Sequence, residues 1–315
     1  MDTSTATSLE QDVTATLVWH YTDAHGLLSI VRNHVLWATA SGFLNDHLEI
    51  ALGVQRLREA LTERAERGDA IAALVQERLD RSDVGERGPS SGTFFILSAA
   101  AHWDLLAMWR CYGGPEESYA IGLDSSVPLP VLAAPGTAAS IPKDSLLRAR
   151  PWTPVAYSTA QQRRLADRAM DLLPQDRAQW QRVIDAQSDR LGLLNDFAEV
   201  LDELEQALVL VKHEGFVDER EVRHTVSVLQ RPDAGGWDGI VRYRASRYGV
   251  APHLWLTGPS HDREVITETV APLPIRAVAI SPSPNGPDAA VSLRAMLRTH
   301  GYDVPILRSE IPFRG

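Results

Sequence analysis

The chain has 315 residues, 44% of them hydrophobic and 23% charged, with a mean hydropathy of -0.16, proportions that exclude collagenous and intrinsically disordered classes. No run approaches the roughly 20 apolar residues needed to cross a bilayer, and the opening MDTSTATSLEQD lacks the basic start and apolar stretch of a secretion signal, so the expectation is a cytoplasmic chain without a membrane partner. The net charge of -10 does not favour extended nucleic-acid binding unless a local basic patch overrides the general repulsion, and a single cysteine, Cys111, excludes an internal disulfide and a cysteine-based zinc site.

Residues 1–12 are polar and without hydrophobic period, and read as a disordered leader before a single domain over 13–315. TLVWHYT predicts a short buried strand. Asp23 is placed to cap a helix over AHGLLSIVRN, whose Leu27, Leu28, Ile30 and Val31 form one apolar face. LWATA predicts the second strand. The stretch from about 50 to 85 has a 3.6-residue apolar period interrupted at Gly68, which predicts a pair of helices. TFFILSA then reads as a strand, DLLAMWRCY as a helix, and SYAIGLD as a strand. Val127 to Pro154 reads as loop. From about 160 to 211 the pattern is helical throughout, and EVRHTVSVL, IVRYRAS, HLWLT, IRAVAIS and VPILRS return the β signal around a helix in SLRAMLRTHG. Strands bracket helices at both ends of the chain. That order predicts an α+β fold, a mixed or antiparallel sheet with helical insertions at about 50–85 and 160–211; the second insertion, devoid of motifs, is expected to be removable with a folded core left behind.

Several residue groups could carry chemistry. Trp19-His20-Tyr21-Thr22 ends a strand, where a neutral imidazole can meet a ribose hydroxyl and Tyr can offer a flat face, or where His20 is an ordinary core histidine. Asp46 and Glu49 have a spacing that could hold a cation, which would suit a metal-dependent hydrolase, but they also match a capping box, and capping is the favoured role. On a strand, Glu219, Glu221 and Arg223 would share one face: two carboxylates to stabilise an oxocarbenium-like centre and an arginine to keep one ionised, or a solvated edge. Arg242-Tyr243-Arg244 could hold a diphosphate or form an exposed strand face. Cys111 reads as buried and inert. No Walker loop, GxGxxG after a strand, or GxSxG elbow is present, which argues against P-loop, Rossmann and α/β-hydrolase enzymes.

The segments LVWHYTDAHGLLSIVRNHVLWAT, FLNDHLE, FFILS, DLLAMWRCYG, YAIGLD, KHEGFVDEREVR and SEIPFRG resemble, in order and over most of the chain, a widespread bacterial family of domains of unknown function. More distantly, the first segment is similar to the opening of ADP-ribosyltransferase folds. His20, Thr22, Leu27, Ile30, Val31 and Leu36 fall in its pattern, while Tyr21 stands where those folds usually carry Gly. The resemblance implies an ADP-ribosyltransferase-like sheet core and NAD as substrate. His20, Tyr21 and Thr22 would bind NAD, and Tyr112 or Tyr119 would stack on nicotinamide. Glu221 or Glu219 would be the catalytic carboxylate, and Arg32, Arg110, Arg223 and Arg242 would be available for phosphates.

The expected activity is therefore NAD-dependent ADP-ribosyl transfer or NAD glycohydrolysis without a metal, in a toxin or defence effector, with the acceptor open. The competing reading is a non-catalytic nucleotide-sensing or protein-interaction module on the same core. Both carboxylates facing a cleft beside His20 would favour the enzyme, and both exposed on an edge the module. Glu221→Gln is expected to remove turnover with little loss of stability.

Overall fold

The computed structural model describes residues 17–44, 48–81, 94–113, 117–138, 146–172, 178, 206–229, 239–246, 249–261, 264–282 and 286–312. Residues 1–12, Asp46 and the greater part of 172–205 lie outside the described residues, and with them the leader, the Asp46 cap and much of the second helical stretch.

The fold is mixed α+β, built on a 12-stranded mixed sheet. Strand β1 (Leu17–Asp23) runs into helix α1 (Ala24–Asn33), where the Asp23 carboxylate accepts from the Gly26 N–H at 2.7 Å and satisfies one of the orphan donors of the first turn. The face that α1 turns inward is Leu27, Ile30 and Val31, each contributing about 1.5–3 kcal/mol by leaving water. The helix ends at His34 in the left-handed conformation, φ 53°, and β2 (Leu36–Ala40) follows.

Helices α2 (Leu48–Glu66) and α3 (Ala70–Arg81) are separated at Gly68, whose φ of +90° is open to glycine and strained for other residues. Strand β3 (Phe94–Ala100), helix α4 (Leu106–Tyr112) and strand β4 (Ser118–Asp124) come next. The segment expected to be loop contains two strands, β5 (Val131–Leu132) and β6 (Leu146–Pro154). After α5 (Thr159–Asp171) the chain adds β7 (Glu221–Leu229), β8 (Val241–Ser246), β9 (Gly249–Leu256), β10 (Ile266–Thr267), β11 (Ile275–Ile280), α6 (Gly286–Thr299) and β12 (Ile306–Arg308).

Most pairings are antiparallel; β5 with β10 and β11 with β12 are parallel. Strand β3 organises the sheet. One of its edges pairs over its whole length with β7, from Phe94↔Ser227 to Ala100↔Glu221. Its other edge is divided, with β2 paired at Phe95 and Ile96 and β1 at Ala100. The sheet thus forks at Leu97–Ala99, with β1, β4, β11 and β12 on one branch and β2, β9, β5 and β10 on the other.

One apolar core lies under both branches and takes in α1 and α6. A separate core is helical. Val54, Leu57 and Leu61 of α2, Ile71 and Val75 of α3, Ala166 and Met170 of α5, and Leu208 pack together, so the two helical stretches form one layer.

Candidate functional site

A cavity of about 900 Å³ opens at the fork, between the sheet and the helical layer, within the range of small-molecule and nucleotide sites. The β3 segment from Ile96 to Ala99 forms its floor, His20 and Tyr21 come from β1, Trp37 and Thr39 from β2, and Glu219, Glu221 and Arg223 from the start of β7 and the turn before it. Helix α2 contributes Glu49, Ala51, Leu52 and Gln55, and the segment leading to β7 contributes Lys212, His213 and Phe216.

His20 is fixed by the fork itself. Its Nδ1 lies 2.9 Å from the carbonyl oxygen of Ser98, on the stretch of β3 between the two diverging strands. A carbonyl only accepts, so Nδ1 carries the proton and Nε2 keeps the lone pair. Burial lowers the pKa of His20, outweighing the bond to Ser98, so the ring is neutral at pH 7. Tyr21 is committed to structure: its hydroxyl donates to the His102 carbonyl at 3.0 Å, accepts from the Leu105 N–H at 3.2 Å, and its ring meets Trp109 edge-on at 4.6 Å. Thr22 does not line the cavity; its hydroxyl occupies the space a Cβ on Gly26 would need.

The charged wall is a buried five-residue cluster. Lys212 Nζ lies 2.7 Å from Glu219, 2.8 Å from Glu221 and 3.3 Å from Glu49. Arg223 donates Nε to Glu221 Oε1 at 2.8 Å, Nη2 to Glu49 Oε2 at 2.6 Å and to Glu221 Oε2 at 2.9 Å, and Nη1 to the Val209 carbonyl at 2.6 Å. Three carboxylates face two cations, so the fully ionised cluster carries one negative charge in excess. Burial opposes ionisation of Glu221, but Arg223 and Lys212 outweigh it and hold its pKa down at about 2. Glu49 shifts the other way: burial raises its pKa despite Arg223 and Lys212. The same carboxylates more than offset the cost of burying Lys212 and Arg223, whose pKa values are raised.

Glu219 and Glu221 differ in availability. Both oxygens of Glu221 are bonded to cations, and its backbone N–H donates to the Tyr157 hydroxyl at 2.7 Å. Glu219 meets Lys212 through Oε2 alone, Tyr112 donates to that same oxygen at 3.5 Å, and its side chain is 10% exposed against 5% for Glu221. The expectation that both sit on one strand face needs correction. Glu219 ends a 3₁₀ turn over Glu214–Glu219, Arg220 takes the left-handed conformation at φ 44°, and β7 starts at Glu221. The reversal at Arg220, rather than a strand pleat, brings Glu219 to Lys212.

The remaining expectations divide. Tyr112 lines the cavity; Tyr119 does not, and its hydroxyl donates to Glu117 at 2.6 Å. Arg110 is exposed on α4, and Arg242 packs 3.8 Å over the Trp255 ring, both outside the cavity lining; Arg32, in the last turn of α1, is likewise outside it. The neighbour Arg244 reaches the rim instead, donating to Thr39 Oγ1 at 3.2 Å. Glu49 does not serve as a simple cap residue, since its carboxylate is spent on Arg223 and Lys212. Cys111 is exposed, not buried. Sequence reasoning missed Lys212 as a site residue; a lone lysine closing the apolar run Ala207–Val211 was the available signal. Among the described residues no group of three or more His, Cys, Asp or Glu is placed to hold a metal ion, and no helix is long and apolar enough to cross a membrane.

Comparison with protein-family models, curated proteins and solved structures finds no match to this chain.

Proposed function

We propose that the cavity at the sheet fork binds NAD and that the chain catalyses ADP-ribosyl transfer or NAD hydrolysis, as the resemblance of the β1–α1–β2 segment implies. The observation that carries this reading is the convergence of His20 with Glu219 and Glu221 on one cavity from the two edges of β3. Nicotinamide leaves with the electron pair of the C1′–N bond and is neutral once released. The protein therefore needs no strong acid, only negative charge near C1′ and groups that hold the ribose. A carboxylate oxygen not held by a cation meets the first need, and Glu219, which meets Lys212 through Oε2 alone, offers one. The Nε2 lone pair of neutral His20 meets the second by accepting from a ribose hydroxyl. Water or an acceptor then bonds to C1′ and gives up its proton, with ADP-ribose and a proton as the other products of hydrolysis.

Among the carboxylates Glu219 is the better candidate for the reacting centre, because Glu221 has both oxygens committed to cations. Tyr112, which lines the cavity and whose hydroxyl bonds Glu219, is our candidate for the aromatic that packs on nicotinamide. The commitment of Glu221 also favours the second reading, a nucleotide-binding module without turnover.

Release of free nicotinamide from NAD, followed by chromatography with and without cell lysate, tests the proposal. Wild type should release it and Glu219→Gln should do so about 10²–10³-fold more slowly, with NAD affinity changed much less. Calorimetric NAD binding with no release under any condition would leave the binding module; neither binding nor release would overturn both.

A further inference from the structure

The Arg242-Tyr243-Arg244 segment takes no part in the chemistry above. The strand register places its two arginines on one face with their neighbours: Arg242 opposite His253, Arg244 opposite Ala251, Trp37 opposite Trp255 and Thr39 opposite His253. The result is a cation–aromatic surface across β8, β9 and β2. The Arg242 guanidinium lies 3.8 Å above the Trp255 ring and that of Arg244 5.6 Å from the Trp37 ring; Trp37 and His253 are 4.8 Å apart between ring centroids. Trp37 is 44% exposed and, like Arg244, lines the cavity rim.

The electrostatics of this face contrast with those of the cavity wall. Lys212 and Arg223 are surrounded by carboxylates, whereas neither Arg242 nor Arg244 is ion-paired among the described residues, and the Nε atoms of both are buried without a hydrogen-bond partner. Two uncompensated guanidinium groups in a chain of net charge -10 form the local basic patch that anion binding requires. Arginines two residues apart on a strand stand about 6.7 Å apart, a separation matched by successive phosphates of an extended polynucleotide. The half-exposed indole of Trp37 supplies a plane on which a base of any identity can stack.

We infer that this face binds single-stranded nucleic acid, with phosphates on Arg242 and Arg244 and a base stacked on Trp37 at the mouth of the cavity. A duplex hides its base faces and cannot use Trp37, and an acidic polypeptide offers charge without planes. The inference goes beyond NAD chemistry and does not depend on it.

The test is fluorescence anisotropy with 5′-labelled dT10 and rU10 at 50 mM salt in the absence of NAD. Both should bind, the DNA and RNA arms showing whether the 2′-hydroxyl matters, and the intrinsic tryptophan emission should be quenched. Trp37→Ala should raise Kd about tenfold, as expected for one stacked base. Arg242→Gln/Arg244→Gln should weaken binding at least as much and reduce the slope of log K against log salt by about 1.4, the value for two phosphates of a single strand. Circular dichroism and thermal melting establish that each variant is folded. Absence of oligonucleotide binding by wild type, binding unchanged in the folded variants, or displacement by duplex DNA or polyglutamate as effective as by unlabelled dT10 would each overturn the inference.

Discussion

Arg223 holds Glu221 with two parallel hydrogen bonds, 2.8 and 2.9 Å, from two positions along the same strand. Lys212 takes Glu221 as well, so the carboxylate is compensated twice. The expectation that Glu221→Gln would be nearly neutral for stability is therefore reversed. Removing one partner of a buried ion pair costs about 3–5 kcal/mol. Glu49 and Glu219 remain to face the two cations, so the loss should fall at the lower end of that range, about 3 kcal/mol by denaturant titration at pH 7. A depressed folded-state pKa means this contribution is complete above the ordinary carboxylate range and is lost as pH falls toward about 2. The gap between wild type and Glu221→Gln should close on going from pH 5 to pH 2.

Glu49 should show the opposite sign. Its folded-state pKa is raised by burial in spite of Arg223 and Lys212, so the native state keeps a proton that the unfolded chain gives up. Its contribution to stability then declines as pH rises through and above the ordinary carboxylate range. Stability of wild type minus that of Glu49→Gln, measured in urea between pH 4 and pH 7, should fall with pH; a rise would show that Glu49 titrates below its ordinary value.

Gly53 is the point where α2 meets the Leu208 backbone within the helical layer. A Cβ there would lie 2.7 Å from the Leu208 carbonyl oxygen and 3.0 Å from its Cα, both backbone atoms that cannot rotate aside. Alanine normally improves a helix interior by about 0.5–1 kcal/mol, but forcing the backbones apart costs about 1–3 kcal/mol. Gly53→Ala should lower Tm. An unchanged or higher Tm would mean that the Leu208 segment yields freely.

Deletion of 160–211 with a short linker should not leave a folded core. Val209 packs with Phe94 and Ile96 beneath the sheet and accepts from Arg223, and Gln162 donates to the carbonyls of Ala156, Tyr157 and Lys212. The truncated chain should be aggregated by size-exclusion chromatography; a monomeric, cooperatively melting product would restore the view that the stretch is dispensable.

How far the sequence could be read depended on the range of the interactions involved. The cap at Asp23, the break at Gly68 and the Leu27, Ile30 and Val31 face of α1 are decided within a few residues and are found where the pattern places them, while Leu28, expected on that face, is only half-buried. The segment LLRARPWTP, with two prolines and two arginines, reads locally as loop, yet it forms β6. Its pairing with β7, with an irregularity between Arg150 and Thr153, overrides those local preferences. Local spacing offers Glu49 only a capping-box role with Asp46, because the residue it grips, Arg223, is 174 positions away. The left-handed turn at Arg220 has no glycine to announce it. Composition offers Arg242 and Arg244 alike for a diphosphate, although only Arg244 reaches the cavity rim; strand register decides that, and composition cannot.

The divided edge of β3 has a bearing on synthesis. His20, Glu49 and the β3 floor emerge early from the ribosome, while Arg223, 174 residues after Glu49, follows by roughly 10–35 s at ordinary elongation rates. Until then Glu49 lacks the cations that compensate it, β3 lacks β7, and β2 lacks β9. A nascent chain therefore carries the histidine without the opposing charged wall. Whatever the cavity does begins only after the late strands have docked, which confines its activity to molecules whose translation has passed the β9 segment.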